Sequence, residues 1–465
     1  MPEIDTDYLV VGAGASGLPF VDTLVSLTDA RVVIVDREAR PGGHWLHAYP
    51  FVRLHQPSAN YGVASRPLGT DRIDTDGPNA GFYERASAPE IVEHFGAALD
   101  DLVASGRVTF LGSHEYRGAD ADGHHVQSLE TGETTTIRAR RLVDATFTAA
   151  DIPSRHTPPM AVDDDVRFAS PNALPDHVDA PAFTILGAGK TAMDSCVWLL
   201  EQGIDPGRIR WVKPREAWLF ERSFVQPLDQ VAGYMQMQAH WVSASARSTD
   251  GRDFARRLGD VGVLVRVDED VEGEVFRGAI ISQYELDRLR TIENVVRGRR
   301  VHRITSTHLV LDDGEISAVP GEVHVDCTAH GVPYAPTRPT FAEDRITIGY
   351  VTLGIVPWSA ATVAAVEAIH VSDDEKNRLT PAMCWTGSTA DVIGMLHAGM
   401  SGLSARAADP AVGAWNETCR LNPAAGAMAK AGSDTAIGDA LTTIITEIGP
   451  ALENLQRLAG QPASS

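Results

Sequence analysis

Three glycines, Gly12, Gly14 and Gly17, stand at the G-x-G-x-x-G spacing that bends a chain around a pyrophosphate. Gly12 allows a tight turn, Gly14 lets backbone approach a phosphate, and Gly17 lets a helix pack against the preceding strand. Ala15 and Ser16 complete the turn and count among its binding candidates. Asp36 follows twenty-two residues after Gly14, near where a carboxylate accepts the hydroxyls of a ribose, with Arg37 beside it. A second turn, Gly187-Ala-Gly189-Lys190-Thr191-Ala192, has the G-x-G-x-x-A form, in which alanine takes the helix contact. The strand after it ends in Lys213-Pro-Arg215 instead of an acid. Cations there suit the 2′-phosphate of NADPH better than the free ribose of NADH; the plain alternative is two surface charges at a strand end. Two dinucleotide turns in one chain imply that reducing equivalents pass from one carrier to the other.

The turns need strands before them and helices after them, and the local sequence supplies both. Residues 8–11 read as a short buried strand, and Leu18, Val21, Leu24 and Val25 continue at helical spacing. The turn therefore opens a helix whose positive end attracts phosphate. Residues 31–35 form the next strand. In the second unit, residues 182–186 and 209–212 read as strands around a helix whose buried stripe is Met193, Cys196, Val197, Leu199 and Leu200. Elsewhere the spacing predicts helices over 88–105, 281–296, 435–448 and 451–458. Strands are expected at 108–111, within 128–138 after a turn at 120–124, at 141–146 and over 346–356, and a mobile tail at 462–465. Residues 62–85 and 220–280 contain no recognisable motif. Phe224, Tyr234, Met235, Met237 and Trp241 fit either ordinary core or an adaptable apolar pocket.

After Asp36 the chain runs Gly42-Gly43-His44-Trp45, then Tyr49-Pro50-Phe-Val-Arg53-Leu-His55-Gln56-Pro-Ser58-Ala-Asn60-Tyr61. Here it resembles the class B flavoprotein monooxygenases, the flavin-containing and Baeyer–Villiger monooxygenases. That family carries G-G-T-W followed by Y-P-G-x-R-x-D-x-x-S-x-x-Y. Gly42, Gly43, Trp45, Tyr49, Pro50, Arg53, Ser58 and Tyr61 match it without a gap. His44 replaces the family's threonine, and His55 replaces an aspartate that lies beside the flavin in the Baeyer–Villiger branch. Each histidine is either a loop residue making structural hydrogen bonds or a group that moves protons near neutrality. The family's F-x-G-x-x-x-H-x-x-x-W/F fingerprint is absent from residues 147–160.

The resemblance implies FAD on the first turn, with Asp36 on its adenosine ribose and Gly43, His44 and Trp45 close by, and NADPH on the second. It implies an α/β fold of two Rossmann-like dinucleotide-binding domains, the NADPH domain inserted in the FAD domain, plus a C-terminal helical region. Residues 323–328 repeat the pattern of 143–146 on the far side of the second unit, as an insertion predicts. The expected boundaries are 1–150 and 326–372 for the FAD domain, 151–325 for the NADP domain and 373–465 for the helices. The chemistry implied is a peroxyflavin that takes dioxygen and oxygenates a small-molecule substrate on nitrogen, sulfur or carbon. Arg53, His55, Gln56 and Asn60, in the loop expected against the flavin ring, are the candidate catalytic donors.

Composition sets the outer bounds. The 465 residues carry a formal charge of −22, which argues against a nucleic-acid or anionic-membrane partner. No apolar run reaches the length of a membrane span, and no basic stretch precedes an apolar one at the N-terminus, so the expected location is cytoplasmic. Cys196, Cys327, Cys384 and Cys419 are scattered, so the sequence points to no metal site, and electrons have no dithiol to reach. Two other readings stay open: a flavin oxidase or dehydrogenase with vestigial NADPH use, and a non-catalytic nucleotide-binding regulator.

Overall fold

The computed structural model describes residues 3–331, 337–352, 355–384 and 386–460. The tail expected at 462–465 lies outside the described residues, as do positions 353 and 354 of the strand expected over 346–356. Strand Glu3–Val11 occupies the middle of an eight-stranded sheet. On one side it pairs in parallel with Val32–Val35, which pairs with Val108–Leu111. On the other it pairs in parallel with Thr134–Asp144, and Arg345–Thr347 is added beyond. Val32 to Val35 are all buried, which is why that strand reads as an unbroken apolar run. Helix Gly17–Leu27 packs against helix Val356–Ile369 over this sheet, through Leu18, Val21, Ala360 and Val363. Hairpin His114–Asp120 and Gly123–Ser128 turns where expected and joins the sheet through Thr134–Asp144.

The second sheet is all parallel, in the spatial order Val295–Arg297, Ile209–Lys213, Phe183–Leu186, Val323–Asp326, Phe168–Ala169. It repeats the layout of the first. Each central strand runs into a glycine turn, and each neighbouring strand ends in the same Asp-x-Thr cap. Thr146 donates through its backbone N–H and its hydroxyl to Asp144 Oδ1 (3.0 and 2.8 Å). Thr328 does the same to Asp326 Oδ1 (3.0 and 2.6 Å). Strand Val323–Asp326 therefore completes the second sheet, and among the described residues the chain rejoins the first at the hairpin Phe341–Ala342 and Arg345–Thr347.

The unreadable stretch 220–280 and the C-terminal helices build one further core. Helices Val231–Arg247, Val392–Ala408 and Thr435–Ala459 pack with strands Glu216–Glu221 and Gly273–Ile281 through Phe220, Tyr234, Trp241, Phe276, Leu396 and Leu455. Two helix expectations are corrected. The helix expected over 281–296 covers only Gln283–Leu289, because the chain then turns into strand Val295–Arg297. The two helices expected at 435–448 and 451–458 are one, running through Pro450. Pro450 is exposed, so the carbonyl that its ring leaves unbonded reaches water. No helix among the described residues is long and apolar enough to cross a membrane.

Two buried histidines make the fold acid-sensitive. Burial first, and nearby arginines second, hold His94 and His324 down to about 4. His94 Nε2 also accepts the Val63 N–H at 3.1 Å, a bond that protonation would break. An unfolded histidine takes its proton near 6.5, so between roughly pH 6.5 and 4 the unfolded chain binds more protons and stability falls as pH falls. Urea titrations at pH 7, 5.5 and 4.5 should show a loss on the order of 1–2 kcal/mol per histidine. His94→Gln should flatten that slope by about one proton; an unchanged slope would count against this origin.

Candidate functional site

The first glycine turn is built as its spacing requires. Gly12 has φ +107° and donates its N–H to Val35 O at 2.8 Å. A Cβ on Gly17 would stand 1.9 Å from Gly12 O, so helix and turn meet with no room for a side chain. A Cβ on Gly14 would stand 3.3 Å from Gly43 Cα, so the 42–43 loop lies directly against the turn. Ala15 and Ser16 are buried in it. Asp36 accepts the N–H of Ala13 (2.6 Å) and of Glu38 (2.8 Å), and partial burial raises its pKa against those bonds. Arg37 points to solvent beside Glu115 at 3.6 Å.

One loop runs from this turn to the other. Gly43–His47 forms a short 3₁₀ turn, and Trp45 donates its indole N–H to Tyr61 Oη at 2.6 Å, pinning 43–47 to 58–61. His44 stacks obliquely on Trp45, 4.9 Å between centroids. Its ring reaches solvent, and desolvation by the protein around it lowers its pKa. Tyr49 Oη donates to Asp194 Oδ2 at 2.8 Å, and Phe51 stacks on Trp198 at 4.9 Å. Both partners lie on helix Lys190–Glu201, which opens from the second turn. His55 lies close enough to Lys190, Asp194 and Glu285 to feel their charge. Burial and then Lys190 lower it to about 4, so it is neutral at pH 7 and is no proton donor there.

The candidate donors separate in space. Gln56 and Asn60 line one apolar pocket, and Gln56 Nε2 donates to Asn60 O at 3.1 Å. His55 faces the second turn instead. Arg53 does not join them: it is exposed, donates to Arg85 O at 3.0 Å and lies 3.9 Å from Glu90.

The second turn departs from expectation at both lysines. Gly187 has φ +134°, and a Cβ on it would meet Cys327 O at 2.5 Å, matching the tightness of the first turn. A Cβ on Gly189 would meet nothing within 4 Å, which leaves open space where a phosphate would lie. Ala192 is fully buried at the helix contact, with Thr191 half-buried beside it. Lys190 is turned inward, paired with Asp194 and, at 3.1 Å, with Glu285. Lys213 is 2% exposed, paired with Glu216 and lying 4.7 Å over the Trp211 ring. Neither ammonium is free to meet an anion. Arg215 remains exposed, and Arg277 lies near enough for the two cations to repel: burial first and Arg215 second lower the Arg277 pKa. No spacing in the sequence links Arg277 to Arg215; the parallel pairing of Glu216–Glu221 with Gly273–Ile281 does. Asp194 and Glu285 escaped notice for the same reason, since each acts across elements far apart in the chain.

With this geometry in place, the relatives can be compared. The uncharacterized protein Rv2000 of Mycobacterium tuberculosis is 39% identical over 421 residues, 90% of this chain and 78% of its own length. The corresponding Mycobacterium bovis protein, Mb2023, is equally similar. The chain belongs to their family. No family model matches it. Among solved structures it is similar to an open form of cyclohexanone monooxygenase (TM-score 0.50, 14% identity, 78% of this chain and 87% of that one). It is equally similar to an oxidized steroid monooxygenase bound to NADP (TM-score 0.50, 13% identity, 78% and 84%). The fold is that of the class B flavoprotein monooxygenases, two nucleotide-binding units with one inserted in the other.

Proposed function

We propose that the chain is an FAD- and NADPH-dependent monooxygenase that oxygenates a small molecule on nitrogen, sulfur or carbon. The observation that carries this reading is the single loop, 43–61, that touches the first glycine turn through Gly43 and the second unit through Tyr49, Phe51 and His55. The residues fit both cofactors. Around the first turn, Gly12, Gly14 and Gly17 leave backbone bare, Asp36 supplies the ribose acceptor, and His44 and Trp45 follow directly on Gly43, which lies against the turn. At the second, Gly189 leaves a phosphate-sized opening, and Arg215 with Arg277 provides the charge for a 2′-phosphate. When bound, the nicotinamide supplies hydride and the flavin supplies the oxygen chemistry. The chain's own part is to hold the two units in register through the Tyr49–Asp194 bond, to exclude water from the pocket beside Gln56 and Asn60 and present their neutral amides there, and to keep a neutral His55 facing the second turn.

A flavin oxidase or dehydrogenase is the second reading, and the inward turn of Lys190 and Lys213 favours it by removing two cations from the nucleotide side. Anaerobic addition of NADPH to the yellow protein separates them: rapid bleaching, followed by substrate-dependent oxygen uptake, supports the monooxygenase. Bleaching by substrate alone supports the oxidase. A chain that emerges colourless and cannot be reconstituted refutes both. Arg215→Ala should raise the Michaelis constant for NADPH about tenfold, the worth of one charge-assisted hydrogen bond, and leave that for NADH unchanged. Lys213→Ala should instead destabilise the fold by stranding Glu216. Equal shifts for both nucleotides in Arg215→Ala would remove the phosphate role.

A further inference from the structure

Two buried polar atoms, on two residues that line the pocket beside the 53–61 loop, have no partner among the described residues. Asn60 is 3% exposed and donates through Nδ2 to Arg420 O at 3.3 Å, which leaves its Oδ1 unbonded. Trp241 is 2% exposed, and its indole N–H is also unbonded. Both residues line the same pocket, whose other walls include Phe220, Tyr234 and Met237. No described residue lining it is charged, and the Tyr234 hydroxyl is already engaged by Gln238. Trp241 is held rigidly: it stacks on Phe220 (5.7 Å, 17°) and meets Phe254 edge-on (5.5 Å, 88°). An unpaired buried donor and an unpaired buried acceptor are each costly, and a packed core seldom keeps both without use.

We propose that this pocket is the substrate's, and that it selects an uncharged, largely apolar molecule bearing one group that both donates and accepts a hydrogen bond, such as a hydroxyl. The group takes the Trp241 N–H on its lone pair and gives its own hydrogen to Asn60 Oδ1. Ammonium and carboxylate substrates are rejected, because nothing in the lining would offset their desolvation. The cavity is about 50 Å³, against the roughly 150 Å³ that takes a benzene ring. The two polar atoms are themselves buried, so polar end and ring both enter as Met237, unbranched and adaptable, repacks. This assignment rests on the monooxygenase reading for calling the ligand a substrate.

Calorimetric titration of the purified, flavin-loaded protein with phenol, toluene and benzylammonium tests it without turnover, so its outcome is separate from that of NADPH bleaching. Phenol should bind at least about tenfold more tightly than toluene, and benzylammonium should give no heat of binding. Trp241→Phe keeps the stacked ring, and should bring phenol to within about threefold of toluene while leaving toluene unchanged. If that chain does not fold, Asn60→Val removes the acceptor instead and should have the same effect. Toluene binding as tightly as phenol to the native protein overturns the proposal. So does binding of none of the three probes, which would mean that a resident water satisfies the two atoms.

Discussion

Gly17→Ala is expected to yield a colourless protein. Its Cβ would fall 1.9 Å from Gly12 O, and a Cβ has no rotamer by which to escape. The turn must therefore open, and it is fixed on its other side by the Gly12 N–H to Val35 O bond. Flavin retention should drop at least about a hundredfold, the scale expected when a binding backbone is displaced by an ångström or so, with a lower Tm. Flavin absorbance per mole of protein and a thermal melt measure both. Gly189→Ala is the control, because a methyl there meets nothing in the protein. That chain should fold and stay yellow yet bleach slowly with NADPH, since the methyl occupies the space left for a phosphate. Full flavin retention in Gly17→Ala would show that the first turn is not the flavin's.

Glu285→Gln should cost on the order of 3–5 kcal/mol, the range for removing one partner of a buried ion pair. Burial alone would raise the Glu285 carboxyl, but Lys190, Arg222 and Arg85 together hold it well below the usual range. Arg222 is fully buried and meets it at 2.5 Å, and Ser282 donates to it from the backbone at 2.8 Å. Neutralising the carboxylate leaves Arg222 and Lys190 with uncompensated charge. Denaturant titration reads the loss. Glu285→Leu combined with Lys190→Met and Arg222→Met should recover most of it, because an apolar cluster avoids the desolvation of all three groups. The same loss in the triple variant would show that charge pairing is not what Glu285 contributes.

The two glycine turns were legible because backbone constraints are local: φ at Gly12 and Gly187 and the contact at Gly17 depend on neighbours within a few residues. Trp45 and Tyr61 stand out in one motif, but the hydrogen bond that joins them is not specified by it. Most of what escaped the sequence is long-range. Lys190 read as a free cation because its partner Glu285 lies 95 residues on in the chain; the partner of Lys213, Glu216, is close by, but that spacing carries no nucleotide signal. Arg277 comes near Arg215 only through strand pairing, and Trp241 and Asn60 come to line one pocket only through the packing of the middle segment on the 53–61 loop. Pro450 misled for the opposite reason: a local breaker was overruled by an exposed position in a long, well-packed helix.

The twin Asp-x-Thr caps, Asp144 with Thr146 and Asp326 with Thr328, mean that the molecule holds two versions of one structural part and so contains its own reference. Position by position, Gly17 corresponds to Ala192, and the acid at Asp36 to the strand-end Lys213. Such counterparts make each half the calibrant for changes in its sibling.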